Sequence, residues 1–331
     1  MLKFDEKKLL ENLQGGIGLR NQINQIVDEV NQNGYRNICW LGIGGTYASS
    51  MQAVVHMKEK SAIEAFYENA ASFITTGNRR VTKDTVVVIS SVTGSTEEML
   101  AAIKKCKKIG TRIIGFVDKA DSLLAKQCTY LISYPLNEQL KFFMTADRFM
   151  YLAGEFEDYE QFYTQMDQYF AKDIVNVYKN ADQFADQFAL AHHKDEMHYF
   201  VGAGNQWGAT YSYAMCYWEE QHWLKTKSIQ AQEFFHGMFE IIEKDTPVTV
   251  YITEDSQRKL SERVAEFLPQ ICANYEIIDA KDYEMPGFTK EFRGNLSPFI
   301  LRAVNDRIDV HIEHLNRHPM QIRRYYRQLD Y

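Results

Sequence analysis

Proline is scarce in this chain, six residues out of 331. Turn-rich all-β proteins use more, so the deficit favours helices and uninterrupted strands. Cysteine is equally thin: Cys39, Cys106, Cys128, Cys216 and Cys272 are widely spaced, with no C-x-x-C pair. Such an odd, scattered set argues against a disulfide framework and predicts reduced thiols in a cytoplasmic protein. Long apolar runs are missing as well. Stretches such as Val86–Ile89 fall far short of the roughly 20 residues that span a bilayer. The start, MLKFDEKKLLENL, has charges every few residues and no apolar leader, so no secretory signal is expected. There is no basic excess: 37 Lys and Arg against 44 Asp and Glu give a net charge of −7. This disfavours a nucleic-acid or anionic-membrane surface but allows a local pocket for a small anion.

What is present is an ordinary globular composition, 45% apolar and 24% charged. The length suits about two domains of roughly 150 residues each. NICWLGIGG (37–45) reads as a strand entering glycines, followed by a helical pattern. IEAFYE (63–68), TVVVISS (85–91), TRIIGFV (111–117) and TYLISYP (129–135) read as further strands, with a capped helix over 95–110. Residues 137–193 look helical almost throughout. The pattern then restarts: EMHYFVGAG (196–204) is a strand entering glycines, and 205–225 a helix. Strands at 246–255 and 275–282 flank another helix, and a long helix covers 296–318. Continuous apolar strands alternating with helices predict an α/β protein with two parallel sheets. The expected domains are 1–190 and 191–331.

In parallel sheets, ligands sit where strands lead into helices. Two first-half turns match that position. One is Gly42-Ile43-Gly44-Gly45-Thr46; the other is Ser90-Ser91-Val92-Thr93-Gly94-Ser95-Thr96. Backbone N–H groups and five hydroxyls at a helix start form a neutral cradle for a phosphate. A single Ser or Thr there is more often a plain cap; the density of hydroxyls is what points to a ligand. The G-x-G turns that begin at Gly42 and, in the second half, at Gly202 both lack the third glycine of a dinucleotide fingerprint, Tyr47 and Trp207 standing in its place, which leaves a nicotinamide enzyme a runner-up.

The S-x-T-G-S-T-E-E segment of residues 91–98 resembles the phosphate loop of sugar isomerase (SIS) domains, S-x-S-G-x-T-x-E. The duplicated strand–glycine–helix pattern resembles the paired SIS domains of the isomerase half of glutamine–fructose-6-phosphate aminotransferase. No glutaminase domain or N-terminal catalytic cysteine is seen, so the ammonia-using half-reaction is not expected. Within that resemblance, a helix carries a proton-shuttling Glu, and a His follows sixteen positions later in A-G-E-x-x-H-G-P. This chain has Ala231-Gln232-Glu233-Phe234-Phe235-His236-Gly237-Met238, with Gln232 and Met238 departing from the pattern. The resemblance implies Glu220 and His236 as catalytic residues, Glu219 as the alternative register, and Glu233 as a loop-orienting residue. On the residues alone, Glu219 and Glu220 point about 100° apart on a helix. One can face solvent while the other sits among aromatics, where its pKa would rise.

The aminotransferase's Schiff-base lysine falls on Arg324 here, and a guanidinium cannot be that nucleophile. The ending H-P-x-x-x-R-R-Y-Y-x-x-L-x-Y, with GAGNQWGATYSYAMC and FFHGMFEII, is instead similar to the fructosamine-phosphate deglycases. That similarity implies hydrolytic release of an amine from a 6-phosphorylated sugar–amine such as fructoselysine or glucoselysine 6-phosphate. It implies substrate contacts from Gly45, Thr46, Ser91, Thr93, Ser95, Thr96, Arg324 and Tyr326, and no metal or cofactor. It also implies a homodimer or larger homo-oligomer, in which His236 could serve a neighbouring subunit. A ketose–aldose phosphosugar isomerase and a non-catalytic sugar-phosphate sensor are the alternatives. Three histidines at 311, 314 and 318 with Glu313 are read as a solvated or subunit-facing helix end rather than a metal site. His192-His193 reads as a linker. Phe142, Phe143, Phe149 and Tyr151 read as core or dimer surface.

Overall fold

The computed structural model describes residues 1–330; Tyr331, the last position of the tail motif, lies outside them. The chain forms two compact units, Lys7–Gln168 and Met1–Glu6 together with the chain from Tyr169 onward.

In the first unit, helices α1 (Glu6–Gly18) and α2 (Arg20–Gln32) lead into strand β1 (Asn37–Gly42). Helix α3 (Gly45–Lys60), β2 (Ala65–Asn69), α4 (Ala70–Thr75), β3 (Thr85–Ser91), α5 (Glu97–Ile109), β4 (Arg112–Val117) and β5 (Tyr130–Ile132) follow, then α6 (Glu138–Leu152) and α7 (Tyr159–Gln165). The five strands pair in parallel in the order β2-β1-β3-β4-β5. β1 and β3 are buried at every position because helices cover both faces, which is why each reads as an unbroken apolar run. Cys39, Leu41, Val87 and Ile89 pack against Met99 and Ile103 of α5 on one face. On the other, Trp40 meets Phe142 of α6 at 4.9 Å. Phe142, Phe143 and Phe149 are all buried, so the aromatic run is core.

The second unit repeats the plan. It comprises α8 (Ala171–His192), β6 (His198–Gly202), α9 (Trp207–Ser212), β7 (Thr226–Gln230), β8 (Val248–Ile252), α10 (Arg258–Phe267), β9 (Tyr275–Asp279) and α11 (Arg293–Asn316). Its sheet is parallel with order β7-β6-β8-β9, the same pattern as β2-β1-β3-β4. In each sheet the chain goes to one side of the first strand and then crosses to the other. That crossing opens a crevice at the carboxyl ends of β1 and β3, and of β6 and β8.

The boundary expected near residue 190 falls at the end of α8, whereas the compact units divide after Gln168. The physical reason is that α8 packs along α11. Arg307 of α11, 2% exposed, donates through Nε to Asp182 of α8 at 2.9 Å. Two further features differ from the sequence reading. TKSIQ forms edge strand β7, and the helix after β6 continues past Ser212 with π-helical winding over Tyr213–His222. Among the described residues, no helix is long and apolar enough to cross a membrane.

Candidate active site

The two first-half turns lie at the carboxyl ends of β1 and β3, neighbours in the sheet. Gly44 adopts φ +60, which lets the chain turn into α3 without a Cβ penalty. Thr46 is committed to that turn: its Oγ1 accepts from Ile43 N at 3.1 Å and donates to Ile43 O at 3.0 Å. Gly45 is the first residue of α3.

The loop after β3 is preformed. Ser91 Oγ accepts from Gly94 N at 3.0 Å, and Ser95 Oγ donates to Thr93 Oγ1 at 3.1 Å. Gly94 has φ +62, and a Cβ there would lie 2.0 Å from Ser122 Oγ, so only glycine fits. Thr96 occupies the N-cap position of α5, yet its side chain makes no capping bond. The plain-cap explanation therefore fails for Thr96, whose hydroxyl stands at the positive end of a 13-residue helix. Glu97 and Glu98 in the first turn partly offset that field.

The equivalent crevice in the second unit is already filled. The loop after β8 reads Thr253-Glu254-Asp255-Ser256-Gln257 instead of the hydroxyl-rich sequence. Asp255 Oδ2 accepts from Asn205 N at 3.0 Å, and Gln257 Oε1 accepts from Gly204 N at 3.1 Å. The protein's own carboxylate takes the place an anion would take. The hydroxyl-rich loop thus belongs to the first unit, and an acidic loop stands in its place in the second.

The second unit supplies the acid–base candidates. Glu219 and Glu220 lie near the end of the π-helical segment, and separate partners distinguish them. Thr226 Oγ1, at the start of β7, donates to Glu219 Oε1 at 2.8 Å. Arg323 Nε of the tail donates to Glu220 Oε1 at 2.7 Å. Glu220 faces a guanidinium and is 37% exposed. π-helical turns recur at functional sites because the wider winding re-aims side chains. His236 is exposed at the end of a 3₁₀ turn, Ala231–His236, that follows β7; Glu233 lies in the same turn and is exposed.

Glu220 and His236 belong to elements on opposite faces of the sheet. Trp218, two residues before Glu220, packs on Phe200 of β6 at 5.0 Å. Phe234, two residues before His236, packs in the cluster of Val201, whose side chain points to the other face. Among the described residues, no hydrogen bond joins Glu220 to His236.

The tail brings further groups to the same helix end. Arg324 covers Trp223 at 4.3 Å, and the His318 ring lies 4.1 Å from the same indole. Tyr326 is exposed and stacks under Arg327 at 5.2 Å. Sequence reasoning selected Arg324 by counting from Pro319 and passed over Arg323, because nothing local says which arginine of an Arg-Arg pair meets a carboxylate 103 positions away.

His311 of α11 contacts Asp182 at 3.0 Å and Asp186 at 3.1 Å, while His318, beyond the end of that helix, meets Trp223. His192, read as a linker residue, is buried; its Nδ1 and that of His198 each lie 2.8 Å from Asp195 Oδ2. The five cysteines are free thiols. Burial pushes Cys106 up to about 12 and Cys128 up to about 11, so neither is a nucleophilic thiolate at neutral pH.

Residues 34–146 match the family model of the SIS domain. The chain is 27% identical over 305 residues to the fructosamine deglycase FrlB of Bacillus subtilis (strain 168), covering 89% of this chain and 92% of that protein. It is 21% identical over 317 residues to the fructoselysine 6-phosphate deglycase of Escherichia coli O157:H7, covering 92% of this chain and 89% of that one. A B. subtilis structure described as a candidate phosphosugar isomerase superposes with a TM-score of 0.89 at 23% identity, covering 94% of this chain and 97% of the other. The C-terminal domain of glucosamine-fructose-6-phosphate aminotransferase from Francisella tularensis gives 0.75 at 13% identity, covering 95% of each chain. The two helix-flanked parallel sheets are the SIS fold.

Proposed function

We propose that this protein is a deglycase that converts a 6-phosphorylated sugar–amine conjugate and water into a hexose 6-phosphate and the free amine. The single observation that carries the reading is its similarity to two curated deglycases, extending over 89% and 92% of the chain. Fructoselysine or glucoselysine 6-phosphate is the substrate type.

The chemistry follows from the substrate. In an open-chain ketose adduct the amine nitrogen sits on C1 beside the C2 carbonyl, and that C–N single bond resists hydrolysis. Removing a proton from C1 gives an enaminol, and returning one to C2 gives an imine at C1. Water adds across the C=N bond, and collapse of the carbinolamine breaks C–N, leaving an aldehyde and the amine. Glu220 is the base at the sugar carbon, and His236 is the acid for ring opening or the neighbouring oxygen. Ser91, Thr93, Ser95 and Thr96, with Gly45 and Thr46, hold the phosphate and so orient the sugar. Arg324 and Tyr326 contact the substrate from the tail. These steps call for no redox cofactor and no metal.

We take the working form to be a homodimer or larger homo-oligomer in the cytoplasm, with His236 serving a neighbouring chain's Glu220. The placement of the two residues' elements on opposite sheet faces supports this arrangement. An inactive Glu220→Gln chain mixed with an inactive His236→Ala chain then regains activity in heterodimers. No recovery, with subunit exchange shown separately, means both residues act within one chain.

The function is tested by incubating the protein with fructoselysine 6-phosphate and glucoselysine 6-phosphate and assaying lysine, glucose 6-phosphate and mannose 6-phosphate. Release of lysine with one hexose phosphate supports the reading. Interconversion of fructose 6-phosphate and glucose 6-phosphate without amine release makes the protein an isomerase, and no turnover with retained binding makes it a sensor.

A further inference from the structure

The contact between Arg323 and Glu220 has no counterpart among the residues so far given roles. Arg317 ends α11 with φ +51 and turns the chain back. Glu313, 8% exposed, anchors the return: its Oε1 meets Lys3 Nζ at 2.7 Å and accepts from Met320 N at 3.4 Å. The segment then grips the end of the π-helical turn. His318 and Arg324 both contact Trp223, which sits at φ +60 as the turn's final cap. A tryptophan rarely adopts that backbone conformation unless its surroundings impose it.

Arg323 is fixed before it reaches Glu220. Its Nη1 donates to the carbonyls of Met320 and Ile322, the latter at 3.2 Å, inside the tail's own turn. Its Nε then meets Glu220 Oε1 at 2.7 Å. Among the described residues, no donor reaches Glu220 Oε2.

We infer that Arg323 is a positioning residue for Glu220, fixing one carboxylate oxygen from the tail so that the other is presented to the substrate in a single geometry. The inference rests on the deglycase reading, in which Glu220 moves the proton. A charge-assisted bond to one oxygen removes the rotameric freedom of a partly exposed glutamate without consuming its second oxygen. Proton transfer from carbon is sensitive to such placement, a misplacement of about 1 Å costing about 10²-fold. The tail is then part of the acid–base machinery, not only a cover.

The test compares full-length wild type, Arg323→Met, Arg323→Lys, Glu220→Gln and the Arg323→Met/Glu220→Gln double variant on fructoselysine 6-phosphate. Arg323→Met is expected to lower kcat by about 10- to 100-fold, with KM changed by less than about three-fold and an unaltered melting temperature. Arg323→Lys regains several-fold of the loss, because an ammonium can also meet the carboxylate. In the Glu220→Gln background Arg323→Met has no further effect, since the group it positions is already disabled. Wild-type kcat in Arg323→Met, or an equal proportional loss in both backgrounds, overturns the inference. Should the wild type turn over no sugar–amine phosphate, the deglycase reading is what has failed. The clamp is then judged by trypsin cleavage after Arg324 and Arg327 in the intact protein. Faster cleavage in Arg323→Met and in Glu220→Gln upholds the contact, and unchanged cleavage refutes it.

Discussion

His198 makes the second unit acid-sensitive in a way that can be calculated. The ring is fully buried at the start of β6, with Nδ1 2.8 Å from Asp195 and Nε2 2.8 Å from Thr249 Oγ1. Burial disfavours the imidazolium and, despite the opposing pull of Asp195, lowers the pKa from 6.5 to about 4. Above about pH 6.5 the ring is neutral in both the folded and unfolded chain, and its contribution is fully present. Below that, the unfolded chain takes up a proton that the folded one refuses, so stability falls by up to about 1.4 kcal/mol per pH unit. The loss continues until the folded ring protonates near pH 4 and totals about 3 kcal/mol, a large part of an ordinary domain's stability. Burial of Asp195 raises its pKa, but hydrogen bonds from His192 and His198 outweigh this and leave it lowered, adding a loss of the same sign at still lower pH. The assay is urea unfolding at pH 7, 6, 5 and 4.5, followed by the fluorescence of the four tryptophans, among them Trp218, whose indole lies 4.7 Å from the His198 ring. His198→Gln keeps a donor and an acceptor but cannot titrate in this range. Its stability should therefore fall less steeply than wild type between pH 6.5 and 4.5. Parallel slopes in the two proteins would refute the argument.

Glu220→Gln should lower turnover by about 10²–10⁴-fold with substrate binding nearly intact. Glu219→Gln, whose amide oxygen can still accept from Thr226, should stay near wild type, and the reverse pattern would move the base by one residue. Thr96→Val should raise KM by about 10- to 150-fold, the equivalent of 1.5–3 kcal/mol for a hydrogen bond to a charged phosphate. Because Thr96 makes no capping bond, its melting temperature should not move; a drop in melting temperature with unchanged KM would assign the hydroxyl to stability instead. Gly94→Ala should cost more than about 1 kcal/mol, from both the positive φ and the 2.0 Å approach to Ser122 Oγ, seen as a melting temperature lower by several degrees.

Much of the architecture was legible because it depends on periodicity. TVVVISS is apolar without interruption, and only a strand covered on both faces uses such a run, so β3 was read with its observed limits, Thr85–Ser91. The recurrence of strand, G-x-G turn and helix at Gly42 and Gly202 likewise exposed the duplication, since both glycines meet the same demand for close packing against the following helix. β7 escaped notice because an edge strand needs no apolar face on its open side, and TKSIQ has little apolar character to recognise. The π-helical winding escaped for a different reason: side-chain periodicity over ten residues is too coarse to separate it from an α-helix.

The identities at the candidate site divide along the same line. Sequence alone determined which residue types were available: the hydroxyls of 90–96, two adjacent glutamates, and an arginine pair in the tail. Tertiary structure decided what each one meets. It filled the second crevice with Asp255, left the hydroxyl of Thr96 without a capping role, sent Glu219 to Thr226, and brought Arg323 rather than Arg324 onto Glu220. The reason is range. Strand and helix patterns arise from neighbours a few positions apart, whereas these partners lie up to 103 residues away, and only the packing of the elements between them brings their side chains within hydrogen-bonding distance.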